Sequence, residues 1–261
     1  MKRSRFWAAV SLMNIAAGRL FLHNRPAFRP YLGQLRLEYY RRRELGPRSA
    51  DFYAVFPECQ TLAEPVRLIA ELTAGGLTKA EIYYLAVIAR GLRPQRIFEI
   101  GTFDGCAAAH FALNTDPQAQ AIVFTLDLPP KTAEETVRFS ETEREFLDQM
   151  RPAYYIRKYD PNKAVQLLYG DSMSYDFSPY YGQIDLVFVD GNHSRAFIEH
   201  DSREALRMLR PGGTILWHDY YGVPGEDVSD VLMGLSAEYP IRRIKDTALA
   251  VYRSSAGSAS L

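Results

Sequence analysis

The sequence contains only two cysteines, Cys59 and Cys106, and this scarcity excludes two kinds of protein. Two thiols are too few for the disulfide framework of a small secreted domain, and alone they cannot build a structural zinc site. A long apolar run is missing as well, because the stretch over residues 6–17 falls short of the roughly 20 residues needed to span a bilayer. We therefore expect a cytoplasmic protein with reduced thiols.

The sequence also lacks net charge, with 31 basic and 31 acidic side chains, but the two signs are unevenly distributed. Residues 1–50 carry a net charge of +9, and residues 51–261 carry a net charge of −9. Nucleic-acid-binding proteins present a basic surface to the phosphate backbone, and the acidic body is a poor candidate for that role. We expect no nucleic acid among the partners.

The basic segment begins with an amphipathic pattern. Over residues 1–22, apolar side chains recur at helical spacing after a cluster of lysine and arginine. Three uses of such a helix stay open: packing on the body or on a second subunit, peripheral contact with the inner face of a membrane, and export. The first use would include a homo-oligomer.

The remaining sequence divides into a few segments. Thr78 and Glu81 form a capping-box pattern before an apolar stretch, which predicts a helix, with Gly91 at its end. The predicted segments are a basic arm over 1–50, a helical prelude over 51–94, a main domain over 95–253 with a lid-like insertion over 129–163, and a flexible tail over 254–261.

The main domain alternates short strands with helices. The strand runs are rich in valine, isoleucine, leucine and phenylalanine without polar alternation, which indicates a parallel sheet covered on both faces. The pattern therefore predicts a doubly wound α/β fold, in which ligands bind at the carboxyl ends of the strands. The predicted strands are 96–100, 122–127, 166–169, 184–190 and 214–218, followed by a hairpin of 241–244 and 249–252; the predicted helices are 105–114, part of 131–150, and 195–209.

The ends of the first three strands carry residues suited to a nucleoside. Gly101 and Gly105 let the backbone turn tightly and approach a ligand, but the third glycine of the dinucleotide fingerprint is missing. Asp127, at the end of the second strand, can accept hydrogen bonds from both ribose hydroxyls. Asp171 and Ser172 follow the third strand in a polar turn that is able to hydrogen-bond an adenine edge.

The ends of the fourth and fifth strands carry acids and histidines. These strands are expected to be neighbours, so Asp190 and Asp219 would emerge side by side and could share a divalent cation such as Mg²⁺. His193 and His218 lie near them, and a histidine beside an acid is suited to removing a hydroxyl proton. The alternatives are that His193 fixes its loop and that His218 is a buried structural residue.

The motifs at these strand ends resemble those of class I S-adenosylmethionine-dependent methyltransferases. More narrowly, they are similar to the bacterial methyltransferase domain 24 group, which is kin to metal-dependent sugar and catechol O-methyltransferases. The resemblance covers residues 95–252. Its motifs are Glu-Ile-Gly-Thr-Phe-Asp-Gly from residue 99, Thr-Leu-Asp-Leu-Pro-Pro from 125, Gly-Asp-Ser from 170, Val-Asp-Gly-Asn-His-Ser from 189, Leu-Arg-Pro-Gly-Gly from 209 and Trp-His-Asp-Tyr from 217.

The resemblance implies a Rossmann-like fold with a seven-stranded sheet, and it implies roles for individual residues. In the metal-dependent sugar enzymes, the aspartate that matches Asp190 ligates the metal, and the histidine that matches His193 is the base. Relatives usually have two acids, or Asp-Asn, where this chain has His218 and Asp219, so Asp190 and Asp219 are the main metal candidates and His218 is a further one. The implied cofactor-binding residues are Glu99, Gly101, Thr102, Asp104 and Gly105 around the methionine part, Asp127 on the ribose, Asp171 and Ser172 near the adenine, and Asp190 at the boundary with the acceptor.

The function implied is O-methylation of a small hydroxylated acceptor, of saccharide, glycolipid or natural-product type, with Mg²⁺ assistance left open. Other classes also stay open: a nicotinamide-dependent oxidoreductase, a scaffold that keeps the fold without transferring anything, and an iron-dependent hydroxylase. The missing third glycine disfavours the oxidoreductase.

Overall fold

The computed structural model describes residues 47–70, 76–116, 119–129, 152–160, 163–222 and 225–255. The predicted amphipathic helix over 1–22, the predicted helix within 131–150 and most of the tail lie outside these residues, so their structures and the predicted membrane contact stay predictions. Among the described residues, no helix is both long and apolar enough to cross a membrane.

The strands form a single, mostly parallel sheet, which confirms the predicted fold class. Within the described residues its order is β1-β7-β8-β6-β5-β2-β3-β4, and β8, the second strand of the C-terminal hairpin, is antiparallel to both of its neighbours, β7 and β6, while the other pairs are parallel. The strands are β1 (Arg48–Ala50), β2 (Arg96–Ile100), β3 (Ile122–Asp127), β4 (Val165–Tyr169), β5 (Ile184–Val189), β6 (Leu209–Trp217), β7 (Arg242–Ile244) and β8 (Ala250–Arg253).

The sheet therefore has eight strands in the described residues, one more than the seven that the resemblance implies. The additional strand is β1, which pairs in parallel with β7 and comes from the end of the predicted basic arm. Its sequence, Arg-Ser-Ala, has no hydrophobic alternation, so the sequence pattern carries no signal for it. A second correction concerns β6, which begins at Leu209 rather than at the predicted residue 214.

Helices cover both faces of the sheet. Neighbouring residues of β2 point in opposite directions, so Ile97 packs in one apolar cluster with Leu85 and Phe111, while Phe98 packs in the other with Ile198 and Leu232. The helices are α1 (Phe52–Val55), α2 (Lys79–Leu92), α3 (Cys106–Asn114), α4 (Tyr154–Tyr159), α5 (Arg195–Met208) and α6 (Asp227–Leu235), with short 3₁₀ turns at Pro57–Cys59 and Ser178–Tyr180.

Helix α2 begins with the predicted capping box but does not end at Gly91 as predicted. The Thr78 hydroxyl accepts a hydrogen bond from the Glu81 amide, and the Glu81 carboxylate accepts one from the Thr78 amide. The helix continues to Leu92 and ends on Arg93, whose φ of 51° is left-handed. Gly91 therefore lies inside the helix. A glycine is needed there because a Cβ would overlap Cys59 Sγ and lie 3.3 Å from Cys59 Cα.

Gly91→Ala is therefore expected to destabilise the protein, although alanine is the better helix former. Overpacking against Cys59 costs about 1–3 kcal/mol of unfolding free energy, which exceeds the helix-propensity gain of up to about 1 kcal/mol. Gly234→Ala in α6 is the matched control, because a Cβ there meets nothing within 4 Å. Urea denaturation should show opposite signs for the two variants, and a stabilised Gly91→Ala protein would contradict the packing argument.

The connectivity brings a reversal of strand order to the middle of the sheet. Strand β2 pairs with β3 on one side and with β5 on the other, and β5 pairs with β6. Chains that leave β2 and β5 therefore diverge at their carboxyl ends, which is where open α/β sheets bind ligands.

Candidate functional site

The loop after β2 is shaped by contacts within the protein. Gly101 has a φ of 100°, and a Cβ there would overlap the carbonyl oxygen of Asp190 and lie 2.6 Å from its carbonyl carbon. Gly105 has a φ of 80°, and a Cβ there would lie 2.7 Å from Ile156 Cγ1. Both glycines are thus required by neighbouring protein atoms, in addition to any ligand approach predicted from the sequence.

The same loop is held by the segment that precedes and begins α4. The amide of Ala153 donates to the carbonyl of Phe103 at 3.0 Å, and the amide of Tyr155 donates to the carbonyl of Asp104 at 3.0 Å. Asp104 is buried, and its carboxylate accepts from the Cys106 amide at 2.9 Å, at the start of α3. The described end of the predicted insertion therefore lies directly on the glycine loop.

Asp127 connects this loop to the end of β3. Its Oδ2 accepts from the Phe103 amide at 2.7 Å, and its Oδ1 accepts from the Leu128 amide at 2.7 Å. Burial raises the pKa of the Asp127 carboxyl, while these amide donors oppose the increase. Each oxygen keeps a further lone pair, so the carboxylate can hold the loop and still accept hydroxyl donors.

Glu99 lies behind the loop at the end of β2 and is fully buried. Its carboxyl accepts from the Thr125 hydroxyl, which is 2.7 Å from the Thr102 hydroxyl, so a short polar chain links β2, β3 and the loop. Burial raises the pKa of Glu99 well above its ordinary value, and the nearby acids Asp190, Asp127 and Asp104 add to the increase. Three further acids, Asp190, Asp127 and Asp104, therefore lie near Glu99 at this end of the sheet.

The turn after β4 contains Asp171 and Ser172, in the predicted place. Asp171 Oδ1 accepts from the Met173 amide at 3.0 Å, which fixes the turn. Ser172 hydrogen-bonds the buried carboxyl of Asp201 in α5, whose pKa burial raises to about 6. Asp201 lies in no motif at a strand end and reaches this turn from α5.

The ends of β5 and β6 lie side by side, as predicted. The Asp190 amide donates to the Ile100 carbonyl at 2.8 Å, and the His218 amide donates to the Val189 carbonyl at 3.1 Å, so the two chain ends leave the sheet together. Nδ1 of His218 lies 3.2 Å from Asp190 Oδ1 and 3.2 Å from Asp219 Oδ2. One imidazole ring thus joins the two aspartates.

His218 is buried, with 4% of its side chain exposed, and its other nitrogen faces a third acid. Nε2 lies 3.4 Å from Oε2 of Glu81, which reaches the site from α2. Burial alone would lower the pKa of His218, but the carboxylates of Asp190, Asp219 and Glu81 raise it well above its ordinary value. The same pairing, against the effect of burial, lowers the pKa of Glu81 to about 2.

His193 lies on the outer side of Asp219, and 54% of its side chain is exposed. Its Nε2 is 3.0 Å from Asp219 Oδ2, and this hydrogen bond raises the pKa of His193. Asp219 itself has a left-handed φ of 56°, and its other oxygen accepts from the Tyr221 hydroxyl at 3.0 Å. Burial opposes ionisation of Asp219, but hydrogen bonds from His193 and His218 lower its pKa below the usual range.

The donor set could hold a divalent cation. Asp190, His193 and Asp219 each offer one ligand atom, and these atoms lie within 4.8 Å of one another. Carboxylate oxygens and an imidazole nitrogen suit several divalent metals, and Mg²⁺ in particular prefers the carboxylates. Asp190 and Asp219, the two main metal candidates from the sequence, thus lie close together. His218, the further candidate, has its Nδ1 directed at both carboxylates.

Glu81, Thr125, Asp201 and Tyr221 are the residues of this region that sequence reasoning missed as site residues. Glu81 did have a signal, because it belongs to the capping box, but that pattern is fully explained by the start of a helix. Thr125 begins the Thr-Leu-Asp-Leu-Pro-Pro motif, but that motif points to Asp127 rather than to Thr125. Asp201 and Tyr221 belong to no motif and reach the site through tertiary packing.

Comparisons with known proteins agree with the predicted family. The family model of methyltransferase domain 24, described as a methyltransferase domain, matches residues 98–220. This match runs from the middle of β2 to the turn after β6, and so it includes the site residues at all five strand ends. No curated protein matches the chain.

Several solved structures share the fold, and two of them illustrate the similarity to this chain. Cofactor-bound Rv0187 from MTB has a TM-score of 0.51 and 19% sequence identity, and the alignment covers 72% of this chain and 85% of that chain. The O-methyltransferase TomG from Streptomyces achromogenes, which is involved in tomaymycin synthesis and was crystallised with S-adenosylmethionine, has a TM-score of 0.50 and 16% identity, with 69% and 82% covered. At such identities the similarity shows a common fold.

Proposed function

We propose that this chain is a class I S-adenosylmethionine-dependent methyltransferase and that it methylates a hydroxyl oxygen of a small acceptor molecule. The acceptor class that we propose is a hydroxylated saccharide, glycolipid or natural product. The observation that carries the proposal is the exposed His193, whose Nε2 is hydrogen-bonded to Asp219 beside Asp190. An accessible imidazole that is oriented by an acid is a general base for a hydroxyl group.

The acidic surroundings of the glycine loop support the choice of cofactor. Asp104, Asp127 and Asp190 lie close enough to Glu99 to act on it electrostatically. S-adenosylmethionine carries a positively charged sulfonium, which such a site would stabilise. We propose that Gly101, Thr102 and Gly105 border the methionine part with Glu99 and Asp104 behind them, that Asp127 accepts from the ribose, and that Asp171 and Ser172 lie along the adenine.

The proposed mechanism uses few groups of the protein. When bound, S-adenosylmethionine supplies a methyl group whose C–S bond breaks as the C–O bond to the acceptor forms. His193 Nδ1 accepts the hydroxyl proton, while Nε2–H donates to Asp219, which stabilises the resulting imidazolium. Asp190 lies at the boundary between donor and acceptor and helps to align them. Holding the reacting atoms together can supply about 7–11 kcal/mol, and the base a further 10²–10⁴-fold, an order-of-magnitude range for positioned bases.

Asp190 and Asp219 would be the ligands of a divalent cation, since His193 Nε2 donates its proton to Asp219 and has no lone pair for a metal. When bound, Mg²⁺ would orient the acceptor oxygen and lower its pKa. The roles given above to His193, Asp219 and Asp190 use only side chains of the protein. The effect of Mg²⁺ on cofactor binding is measured separately by titration.

Calorimetric titration with S-adenosylhomocysteine, with and without Mg²⁺, tests the proposed cofactor site. Micromolar binding with no binding of NAD is the expected result. Binding of NAD in place of S-adenosylhomocysteine would contradict the proposal and favour the oxidoreductase. Binding of neither compound would favour a scaffold.

Asp127→Asn is expected to weaken S-adenosylhomocysteine binding by about 10–100-fold, because an amide has one acceptor oxygen where the carboxylate has two, and hydrogen bonds to a charged group contribute about 1.5–3 kcal/mol. Asp160→Asn is the matched control. Asp160 also accepts from two backbone amides, those of Ala164 and Val165 at 2.9 Å, but it lies at the amino end of β4. Equal losses of affinity in both variants would contradict a direct role for Asp127.

A further inference from the structure

Glu81 of α2 is the buried acid behind the site that the proposed mechanism does not use. Only 3% of its side chain is exposed. Its Oε2 accepts from the Thr78 amide at 2.8 Å and faces His218 Nε2 at 3.4 Å, and its Oε1 accepts from the Ala248 amide at 2.7 Å. A capping box explains the first of these bonds and leaves the other two unexplained.

The two other bonds both lead to the turn after β6. His218 is the first residue of that turn. Ala248, between β7 and β8, donates its amide to Glu81 and accepts at its carbonyl from the Tyr220 amide at 2.9 Å. Glu81 therefore holds the turn after β6 at two points. It contacts His218 directly, and it contacts Tyr220 indirectly through Ala248. Asp219 lies between these supports, in a left-handed conformation that costs energy for a residue other than glycine.

The orientation of the His218 ring depends on this support. Within its described surroundings, the ring has carboxylates at both nitrogens, with Glu81 at Nε2 and the two aspartates at Nδ1. If Glu81 is removed, Nε2 loses its carboxylate while Nδ1 keeps both of its partners, so the ring can tilt about them. A tilt of the ring would displace Asp190 and Asp219 relative to each other.

We propose that Glu81 is a positioning residue for methyl transfer, which fixes the His218 ring and the Asp219 turn and thereby aligns Asp190 with the base His193. The inference rests on the proposed function, since it assigns the two aspartates and His193 to that reaction. It also gives the helical prelude a part in the site, although the prelude lies outside the matched domain of residues 98–220. Glu81 acts through His218 and Ala248 and touches neither donor nor acceptor.

Glu81→Gln tests the proposal, with Thr78→Ala as the matched control. The glutamine keeps the size of the side chain but replaces one acceptor oxygen with an NH₂ group, so it cannot satisfy all three donors that face it. Thr78→Ala removes the hydroxyl half of the same capping box and leaves the Glu81 carboxylate in place. A purely structural role of Glu81 predicts similar behaviour for both variants, because both weaken the start of α2.

The first readout is the His218 ring signal in histidine-selective ¹⁵N NMR, assigned by its loss in His218→Asn. Glu81→Gln is expected to shift or broaden this signal, and Thr78→Ala is expected to leave it unchanged. An unchanged signal in Glu81→Gln would overturn the proposal. This readout needs no acceptor, so it decides the positioning role even if the proposed reaction is wrong.

The second readout is release of S-adenosylhomocysteine with catechol and methyl glucoside as hydroxyl probes. Glu81→Gln is expected to lower kcat at least tenfold with little change in cofactor KM, and Thr78→Ala to stay within about twofold of the unmodified protein. In a His218→Gln background the effect of Glu81→Gln should disappear, and an equal loss in both backgrounds would overturn the proposal. Failure of the unmodified protein to bind S-adenosylhomocysteine would instead contradict the proposed function.

Discussion

Replacing His193 with glutamine is expected to lower kcat by about 10²–10⁴-fold while S-adenosylhomocysteine binds as before, the range that a positioned general base contributes. The imidazole is half exposed and touches Asp219 through Nε2, so it can accept a proton from an acceptor without supporting the interior of the sheet. Initial rates of S-adenosylhomocysteine release, together with calorimetric affinities, measure both quantities.

The alternative role for His193 is to fix the loop after β5, and Asn192→Ala distinguishes the two roles. Asn192 is a loop-fixing residue of the same turn, since its Oδ1 accepts from the Ser194 amide at 2.8 Å. If His193 acts as a base, His193→Ala loses much more activity than Asn192→Ala, and added imidazole restores part of it. Equal losses without rescue by imidazole would contradict the base.

The pH dependence of the reaction provides a further check on His193. A base must be neutral to accept a proton, so kcat/KM should rise with pH through the pKa of His193 and then level off. Because Asp219 raises that pKa, the rise should be centred above about 6.5, the ordinary imidazole value. Asp219→Asn should move the midpoint to lower pH, and an unmoved midpoint would contradict the pairing.

The parts of the site that follow from strand order could be predicted from the sequence. Asp190 and Asp219 each come directly after an apolar run, and sequential strands of a doubly wound sheet are usually neighbours. Their proximity is therefore a consequence of topology. The roles proposed for the site residues remain predictions, because they depend on ligands.

The parts that depend on tertiary contacts could not be predicted. Glu81 and His218 are 137 residues apart, and no local sequence pattern around either residue predicts the contact between them. Strand β1 is three residues long and gains its order from pairing with β7. Gly91 is a similar case, since a glycine near the end of a helical pattern usually marks a stop, whereas here Cys59 occupies the space of a Cβ.

Gly101→Ala, in the loop after β2, is expected to lower the stability of the protein strongly. The φ of 100° is unfavourable for any L side chain, and the new Cβ would overlap the Asp190 carbonyl oxygen. Backbone strain of about 1–3 kcal/mol and overpacking of about 1–3 kcal/mol act together, so the unfolding free energy should fall by at least about 2 kcal/mol. Urea denaturation followed by tryptophan fluorescence or circular dichroism measures this loss.

Gly182→Ala separates the two contributions. Gly182 has a similarly left-handed φ of 67°, but a Cβ there meets nothing within 4 Å, so only the backbone strain applies. The overlapping atom at Gly101 is a backbone oxygen, which no change of rotamer can remove, so the chain after β5 must move and Asp190 must move with it. Gly101→Ala should therefore also weaken S-adenosylhomocysteine binding, whereas Gly182→Ala should not. Equal stability and affinity in the two variants would show that the chain after β5 adapts freely at Asp190, and the close approach of Gly101 to Asp190 would then not fix the position of Asp190.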